Sequence, residues 1–438
     1  MTRKAMTRKA IRERAEAMFR LTAFLRRLTG AAAPARTAAP AGGGAGPVVI
    51  WNLTRQCNLR CRHCYNFSAE GVFPDELSTA EILRVMADLR AFRVPVLILS
   101  GGEPLRHPDI HRIGAHARQW GFYTSLSSNG TLITPEHAAA MARVGYDYVG
   151  ISLDGLVATH DRFRGREGAF AAALDGVRRV RDAGLKTGLR FTLTQENAAD
   201  LPALLALMTA ERIDKFYLSH LNYAGRGNRN RQGDARRGVT RRCLEGLFAH
   251  ALADIEAGGR QEFVTGNNDA DAACLLLWAR ERFPPDRVAA LTRALVAWGG
   301  NASGVAVANI DSTGHVHPDS MWGHCTLGNV RQQSFAAIWE DRSSALMAGL
   351  AQRPRPVKGR CAGCAFLPLC NGNARVRAEQ VFGDPWAEDP GCTLDDGEIA
   401  DSDVRRSVAA AAARVWAVDG AGDDGRAGAG VGAVAASG

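Results

Sequence analysis

Short apolar runs alternate with amphipathic stretches through the central part of this chain. The runs are rich in Val, Ile, Leu, Phe and Tyr, as buried β-strands are, and the stretches between them carry apolar residues at helical spacing. The predicted strands are 48–54, 94–100, 122–127, 148–153, 186–193 and 215–221. The predicted helices are 78–91 after the cap Ser78, 108–120, 135–143, 168–183, and 197–211 after Asn197.

Six strand–helix repeats of about 35–45 residues favour a parallel sheet that curves into a partial (β/α)6 barrel of the TIM type. In such barrels the chemistry lies at the C-terminal ends of the strands, and polar motifs of this chain fall at those ends. A helical and loop region follows at 240–300, then a short strand pair around 304–317 and a cysteine-rich module to about 393.

The two ends of the chain differ from its centre. Residues 1–30 predict a basic amphipathic helix with the apolar residues Ile11, Met18, Phe19, Leu21, Phe24, Leu25 and Leu28. Ala, Pro and Gly dominate 31–47 and predict a flexible tether, and the Gly/Ala-rich segment 418–438 predicts a disordered tail. We therefore expect a domain boundary near residue 235 and four parts: 1–47, the barrel 48–235, a connector and cysteine-rich domain 236–398, and a helix with tail 399–438.

Composition narrows the class of protein. No apolar stretch reaches the roughly 18 residues of a membrane span. The net charge of +9 comes from arginines spread over the chain, without the basic stripe and interleaved aromatics of a nucleic-acid-binding protein. Seven of the ten cysteines fall in two clusters and no signal peptide is evident, so a reducing cytoplasm is expected. Cys243 and Cys274 lie in helical apolar surroundings and are expected to be core thiols.

Three cysteines, Cys57, Cys61 and Cys64, directly follow the first predicted strand. Three thiolates can hold three irons of a [4Fe–4S] cluster and leave the fourth iron open for a small chelating cofactor. Tyr65, the next residue, is placed to pack against such a cofactor. The alternatives are a zinc site, which usually needs a second cysteine or histidine pair nearby, or three unrelated buried thiols.

The segment Ser100–Pro104 (SGGEP) closes the second predicted strand. Its glycines permit a close backbone approach, and the carboxylate of Glu103 can accept hydrogen bonds from an ammonium group. Together with the CxxxCxxC pattern, this segment resembles the radical S-adenosylmethionine (SAM) enzymes. The resemblance implies that the three cysteines hold a [4Fe–4S] cluster, that SAM binds its open iron, and that Gly101, Gly102 and Glu103 bind the methionine amino group.

Polar residues also close the next strands. Ser128 and Asn129 follow strand three, and Ser152 and Asp154 follow strand four. Both pairs suit the ribose hydroxyls of SAM, although Asn-Gly and Asp-Gly turns explain them equally well. Arg190 lies inside an apolar strand and needs an anionic partner, either the carboxylate of SAM or a structural ion pair.

A second cysteine cluster comprises Cys361, Cys364, Cys370 and Cys392. Its spacing resembles the auxiliary iron–sulfur sites of SPASM and twitch domains, and the resemblance implies a second [4Fe–4S] cluster. A full SPASM pattern adds a cysteine where this chain has Ala374, so one auxiliary cluster is the expectation. Cys392 is assigned as the fourth ligand by spacing alone, and His324, Cys325 or an exogenous ligand are the alternatives.

Four further segments narrow the resemblance to the NirJ-type radical SAM proteins of haem d1 biosynthesis, over about residues 47–398. They are 217–231, 263–271, 298–304 and 370–373. This resemblance implies an enzyme that uses a 5′-deoxyadenosyl radical to remove propionate side chains from the iron tetrapyrrole 12,18-didecarboxysirohaem, a step on the way to the haem of a denitrification enzyme. It also implies a reductant such as flavodoxin or ferredoxin.

A macrocycle with many carboxylates needs cationic partners. Arg226 and Arg229 follow strand six and are the candidates, with a solvated basic loop as the alternative. His220, at the end of the same strand, is a candidate ligand of the tetrapyrrole iron or a proton relay, or else a hydrogen-bonded core histidine. His317, beside the cysteine-rich module, carries the same alternatives.

Three other functions compete with this one. A related haem-pathway enzyme would act on acetate or coproporphyrin-type side chains. A SPASM enzyme that modifies a peptide would usually carry a peptide-binding domain ahead of the barrel, where this chain has 47 residues. A non-catalytic iron–sulfur electron carrier would have all-cysteine ligation of its first cluster and no affinity for SAM.

Overall fold

One ten-stranded sheet organises residues 18–32 and 46–421, which are the residues that this computed structural model describes. The strand order is β10-β9-β8-β1-β2-β3-β4-β5-β6-β7. The strands are β1 (Val48–Asn52), β2 (Val96–Ser100), β3 (Tyr123–Ser128), β4 (Tyr148–Ser152), β5 (Thr187–Leu193), β6 (Lys215–His220), β7 (Glu262–Gly266), β8 (Val307–Ile310), β9 (His315–His317) and β10 (Gly328–Asn329). The eight strands from β8 to β7 run parallel, and β9 and β10 add an antiparallel edge.

Helices connect most of the parallel strands. In chain order they are α1 (Leu21–Thr29), α2 (Thr79–Ala91), α3 (Ile110–Gln119), α4 (Pro135–Val144), α5 (Val157–Arg164), α6 (Ala169–Asp182), α7 (Leu201–Ala210), α8 (Gly225–Arg229), α9 (Arg237–Glu256), α10 (Asp271–Arg280), α11 (Pro285–Trp298), α12 (Phe335–Glu340), α13 (Ala345–Leu350), α14 (Leu367–Cys370), α15 (Arg375–Phe382), α16 (Asp396–Ala400) and α17 (Ser402–Ala421).

The elements form where local chemistry favours them. Helix α2 begins after Ser78, whose side chain accepts from the Glu81 amide while the Glu81 carboxylate accepts from the Ser78 amide, a reciprocal capping box. Alternate residues of β1 and β2 are fully buried, among them Trp51 and Leu99, because the sheet face that they line is covered. All six predicted parallel strands are present as β1–β6, with bounds shifted by at most three residues.

Two further strands extend the parallel sheet beyond the six predicted. β7 pairs with β6, and β8 pairs with β1 with Val48 opposite Val307. Chain from the expected second domain thus adds a strand on each side of the six predicted strands, and the domain boundary near residue 235 stays a prediction. β7 was not predicted because Glu262–Gly266 has only two large apolar residues, Phe263 and Val264, and lies between long helices.

The N-terminal segment is also part of the barrel sheet. Phe19 bridges Thr265 on β7, and its ring stacks on Phe24 of α1 at 4.9 Å and against Trp298 at 5.1 Å. Helix α1 thus buries the apolar residues that the pattern predicted and covers the exposed edge of β7. Ile11, most of the expected tether and most of the expected tail lie outside the described residues, although α17 runs to Ala421.

None of the helices in the described part of the chain combines the length and the apolar composition that a bilayer crossing requires.

The packing of α1 on the sheet edge predicts that this helix contributes to stability. Replacing Phe24, which is 5% exposed, by alanine should destabilise the fold by about 3 kcal/mol through lost burial and a cavity. The urea midpoint of unfolding measures the loss. Arg27→Ala on the exposed face of the same helix is the control and should leave the midpoint nearly unchanged; equal midpoints for both variants would contradict this role of α1.

Candidate active site

The loop after β1 carries the three N-terminal cysteines. Cys57 and Cys61 are buried and pack with Leu59 and the half-buried Cys64 in a small cluster that is separate from the main core. Because the loop leaves the C-terminal end of β1, the three thiols lie at the edge of the sheet where β2 to β6 also end. Polar residues follow these strand ends.

Gly101 and Gly102 hold this loop in place. The Gly102 amide donates to the Thr54 carbonyl at 2.6 Å and the Glu103 amide donates to the Gln56 carbonyl at 2.8 Å. A Cβ atom at Gly102 would lie 2.3 Å from the Gln56 oxygen, so no other residue fits there. In the structure these glycines allow the backbone at 54–56 to approach closely.

Glu103 is fully buried and accepts hydrogen bonds on both oxygens. Its Oε1 accepts from the Ser128 hydroxyl at 2.8 Å and the Leu105 amide at 3.2 Å, and its Oε2 accepts from the Asn129 amide at 2.7 Å. Burial nevertheless raises the pKa of Glu103 to about 7, since among the described residues no cation forms an ion pair with it. Ser128 and Asn129, expected at the ribose of SAM, here orient this carboxyl group.

The environment of the thiols combines burial with two aimed donors. Burial, with the nearby Cys61 and Glu103 adding to it, raises the pKa of the Cys57 thiol to about 12. The side-chain Nδ2 of Asn129 lies 3.9 Å from the Cys57 Sγ, and the Arg164 guanidinium lies 3.5 Å from the Cys61 Sγ. Among the described residues no group of three or more His, Cys, Asp or Glu side chains is arranged to hold a single metal ion.

Asp154 belongs to the same neighbourhood, but its carboxylate is already engaged. One oxygen accepts from the Arg164 guanidinium, and the other accepts from the Thr192 amide at 2.6 Å. The His63 ring lies 3.8 Å from the first oxygen and stacks on Phe163. Contact of Asp154 with a ribose stays a prediction.

Arg190 crosses the interior of the sheet from β5 towards β3. It hydrogen-bonds the Ser127 hydroxyl and lies 5.4 Å from the Tyr217 ring centre on β6. Gly150 on β4 makes room, because a Cβ atom there would be 3.0 Å from the arginine side chain. Among the described residues no carboxylate forms an ion pair with Arg190, and Ser152 lies directly opposite it in the β4–β5 register.

The loop after β6 packs on the cysteine loop. The Arg226 guanidinium donates to the carbonyls of Cys61 at 2.8 Å and Ser68 at 2.9 Å, so it ties the loop down. Arg229 lies 4.8 Å from the ring centre of Phe67. It lines, with Arg62 and His63, a cavity of about 200 Å³ beside the cysteine loop.

His220 and His317 are both buried and hydrogen-bonded. The Nε2 of His220 lies 2.9 Å from the Asp271 carboxylate, and the Nδ1 of His317 lies 2.8 Å from the Cys325 carbonyl oxygen. These contacts are those of core histidines, and substrate binding by either residue stays a prediction.

The four cysteines of the second set lie close to one another. Burial and the nearby thiols of Cys364, Cys361 and Cys392 raise the pKa of the Cys370 thiol well above its ordinary value. Of the alternative ligands, His324 lies 2.5 Å from the Glu379 carboxylate. Burial and the nearby Glu379 raise the pKa of the half-buried Cys325 thiol.

Three of the segments that carried the resemblance meet at this second set. The Asp269 amide donates to the Asn373 side chain at 2.6 Å, and the Asn268 side chain donates to the Gly391 carbonyl at 3.0 Å. Asn301 donates its backbone N–H to the Cys370 carbonyl at 3.2 Å. The polar loop after β7 therefore attaches the cysteine-rich module to the barrel sheet.

Sequence reasoning missed Arg164 and Phe163, which support the cysteine loop from the end of α5. No sequence signal distinguishes this arginine among the 54 lysines and arginines of the chain. Helix α5 itself was not predicted, because its eight residues follow a turn and have little apolar periodicity.

Comparison with known proteins gives a consistent result. The sequence profile of the radical SAM superfamily matches residues 51–208. The chain is 51% identical to the pre-haem d1 synthase of Dinoroseobacter shibae over 378 residues, which are 86% of this chain and 92% of that protein. It is 42% identical to the Fe-coproporphyrin III synthase of Methanosarcina barkeri, over 81% of this chain and 89% of the relative.

Solved structures show the same fold. The crystal structure of Streptococcus suis SuiB bound to S-adenosylmethionine superposes with a TM-score of 0.62 at 17% identity, over 80% of this chain and 77% of SuiB. At this identity the likeness concerns the fold alone.

The buried carboxyl group of Glu103 predicts a pH dependence of stability. Its pKa of about 7 in the folded protein exceeds the ordinary value of 4.5, so the folded state retains a proton that the unfolded chain releases. Without a bound cation, stability should therefore fall by about 3 kcal/mol as the pH rises from 4.5 to 7 and stay level above that.

Glu103→Gln, which cannot ionise, provides the matched control. Its urea midpoint, measured at several pH values on protein with the same iron content, should lack this decline. Parallel pH profiles for the two proteins would show that Glu103 is not the titrating group.

Proposed function

Because the chain belongs to the radical SAM superfamily, we propose that it is the enzyme of haem d1 biosynthesis that removes propionate side chains from 12,18-didecarboxysirohaem. The observation that carries the substrate assignment is the 51% identity to a pre-haem d1 synthase, over 92% of that protein. The geometry of the site supports the chemistry.

The three N-terminal cysteines fit a [4Fe–4S] cluster. The buried Cys57 and Cys61 and the half-buried Cys64 form one group, and donors from Asn129 and Arg164 lie near two of the sulfur atoms. Buried thiols with raised pKa values ionise only when positive charge compensates them, as iron does. Arg226 keeps the loop in this arrangement by binding its carbonyl oxygens.

Glu103 and Arg190 fit the two charged ends of the methionine part of SAM. Glu103 is a buried carboxyl group without a cationic partner, and Arg190 has no carboxylate partner among the described residues. A zwitterion placed between β2 and β5 would give the buried Glu103 and the partly buried Arg190 each an opposite charge. Gly101 and Gly102 serve this arrangement indirectly, since they set the distance between Glu103 and the cysteine loop. Ser128, Asn129, Ser152 and Asp154 remain the residues proposed near the ribose.

When bound, the cluster and SAM supply a 5′-deoxyadenosyl radical, which can abstract hydrogen from an unactivated carbon. A propionate side chain offers no carbon that the acids and bases of this site would deprotonate, so radical chemistry suits it. The role of the surrounding residues is to bind, orient and exclude water. Tyr65, which donates to the Asn52 side chain at 3.1 Å, closes the site on the side of β1.

The tetrapyrrole is proposed to bind at the cavity beside the cysteine loop. Arg229 lines this cavity and matches a carboxylate of the macrocycle, while Phe67 offers an apolar face beside it. Arg62 also lines the cavity, where it pairs with Glu196 at 3.3 Å. His220 and His317 are not among the residues that line this cavity, and their contact with the tetrapyrrole stays a prediction. A low-potential reductant such as flavodoxin or ferredoxin is the proposed electron donor.

The cysteine-rich module is proposed to hold one auxiliary [4Fe–4S] cluster on Cys361, Cys364, Cys370 and Cys392. Cys392 lies near Cys370 together with Cys361 and Cys364, and burial and these three thiols raise the pKa of Cys370; this proximity supports Cys392 as the fourth ligand. Residues 236–398 are the proposed auxiliary part of the enzyme. This part includes β7 and β8 of the sheet, and hydrogen bonds of the polar loop after β7 connect the sheet with the cysteine-rich module.

A second candidate function is the synthesis of Fe-coproporphyrin III, because the relative with that name is 42% identical. It uses the same cysteines and the same cavity, and the mass of the tetrapyrrole product distinguishes the two.

The proposed reaction predicts two products. Anaerobic incubation of the reconstituted protein with SAM, dithionite and didecarboxysirohaem should give 5′-deoxyadenosine and a tetrapyrrole that has lost propionate mass, both measured by mass spectrometry. Cys57→Ala should abolish both products, because one ligand of the proposed cluster is lost. Cys243→Ala, at a half-buried thiol outside both cysteine sets, is the control and should retain them. Deoxyadenosine with an unchanged tetrapyrrole would keep the enzyme class and exclude the substrate.

The proposed auxiliary cluster predicts a difference between two cysteines. Cys392→Ala should lower the iron and sulfide content of the reconstituted protein by up to about half, since one of two clusters loses a ligand. Cys325→Ala is the matched control and should leave the content unchanged. A loss of iron in Cys325→Ala but not in Cys392→Ala would reverse the assignment of the fourth ligand.

A further inference from the structure

The C-terminal turn of α5 packs against the cysteine loop and forms hydrogen bonds with it. The Arg60 amide donates to the Arg164 carbonyl at 3.2 Å, and the Arg62 amide donates to the Phe163 carbonyl at 3.1 Å. The Phe163 ring stacks on His63 with 4.4 Å between ring centres. Two backbone hydrogen bonds and one stacked pair therefore fix the position of α5 relative to the three cysteines.

The same turn places a buried cation beside one sulfur atom. Arg164 is only 6% exposed, and its Nη1 lies 3.5 Å from the Sγ of Cys61. Its Nη2 donates to the Asp154 carboxylate, and its Nε is buried without a hydrogen-bond partner in the described structure. The guanidinium is thus held between one carboxylate and one thiol.

Both charges of the pair persist at neutral pH. Burial opposes the ionisation of Asp154, but Arg164 and the neighbouring histidines hold the pKa of Asp154 below its ordinary value. An arginine guanidinium stays protonated in proteins, and the ion pair with Asp154 supplies the counter-charge of the buried Arg164. The positive charge of Arg164 is therefore in contact with Cys61, and the negative charge of Asp154 lies on the other side of the guanidinium.

We propose that Arg164 acts as a positioning residue that raises the reduction potential of the iron–sulfur cluster through its contact with the Cys61 sulfur, and that Asp154 limits this effect. The proposal rests on the proposed function only in requiring a [4Fe–4S] cluster on the three cysteines. It is independent of the tetrapyrrole.

The direction follows from charge. Reduction adds one electron from an external low-potential reductant to the cluster and makes it more negative, so a nearby cation favours the reduced state and a nearby anion disfavours it. Net charge, hydrogen bonds to sulfur and solvent exposure are the protein properties that set such potentials. Since Arg164 and Asp154 are both buried, solvent screens them little.

Redox potentiometry of the reconstituted protein tests the proposal without substrate. The fraction of reduced cluster is followed by EPR during a titration with dithionite and mediators. A variant with all three cysteines Cys57, Cys61 and Cys64 replaced by alanine supplies the signal of any auxiliary cluster for subtraction.

Two variants should shift the midpoint potential in opposite directions. Arg164→Gln removes the cation and should shift it to lower potential, and Asp154→Asn removes the anion and should shift it to higher potential. Arg162→Gln is the matched control, because Arg162 lies on the same helix but is half exposed and pairs with Glu196. Its potential should equal that of the unaltered protein.

An unchanged potential in Arg164→Gln, at full iron content, would overturn the proposal. A shift of the same sign in Arg164→Gln and Asp154→Asn would also overturn it, since a general loosening of the loop would explain both. If Arg164→Gln fails to bind iron, the upward shift of Asp154→Asn decides alone, and its absence would refute the proposal. Failure of all proteins to take up a cluster on the three cysteines would instead refute the proposed function.

Discussion

The backbone at 54–56 and the glycines 101 and 102 lie in contact, with no space for a side chain between them. This contact joins the end of β1 to the end of β2, so the cysteine loop and Glu103 have one fixed separation. The hydrogen bonds of Gly102 to Thr54 and of Glu103 to Gln56 hold it. The positions of the three thiols and of the Glu103 carboxyl group both depend on this contact, because the cysteine loop follows β1 and Glu103 follows β2.

Paired and unpaired buried charges divide the site into two regions. Asp154 and Arg164 form an ion pair, and Arg164 also contacts Cys61 in the cysteine loop. Glu103 is buried and Arg190 is partly buried, and neither forms an ion pair among the described residues. A buried carboxylate without an opposite charge is unfavourable unless a ligand supplies the missing partner. This difference distinguishes residues that support the site from residues that are free to bind within it.

The sheet continues into the part of the chain that carries the second cysteine set. β7 and β8 flank the six predicted strands, and the loop after β7 bonds to Asn373 and Gly391 next to Cys370 and Cys392. The second cysteine set is therefore positioned by the same sheet as the first. The distance between the two sets is fixed by strand pairing and by buried hydrogen bonds rather than by a linker.

The sequence by itself determined the six parallel strands, the cap at Ser78 and both cysteine sets, because each of these signals lies within a short stretch of chain. Glu103 and Arg190 were also found from local patterns, the first by its glycines and the second by its charge in an apolar strand. Only the tertiary structure decided the partners of Asp154, the support of the loop by Arg226 and the position of Arg164 beside Cys61. These contacts join residues that are far apart in sequence, 165 positions in the case of Arg226 and Cys61 and 103 in the case of Arg164 and Cys61. A local pattern cannot encode such pairs, because the residues next to an arginine in sequence do not reveal whether its side chain will lie against a distant sulfur atom or face solvent.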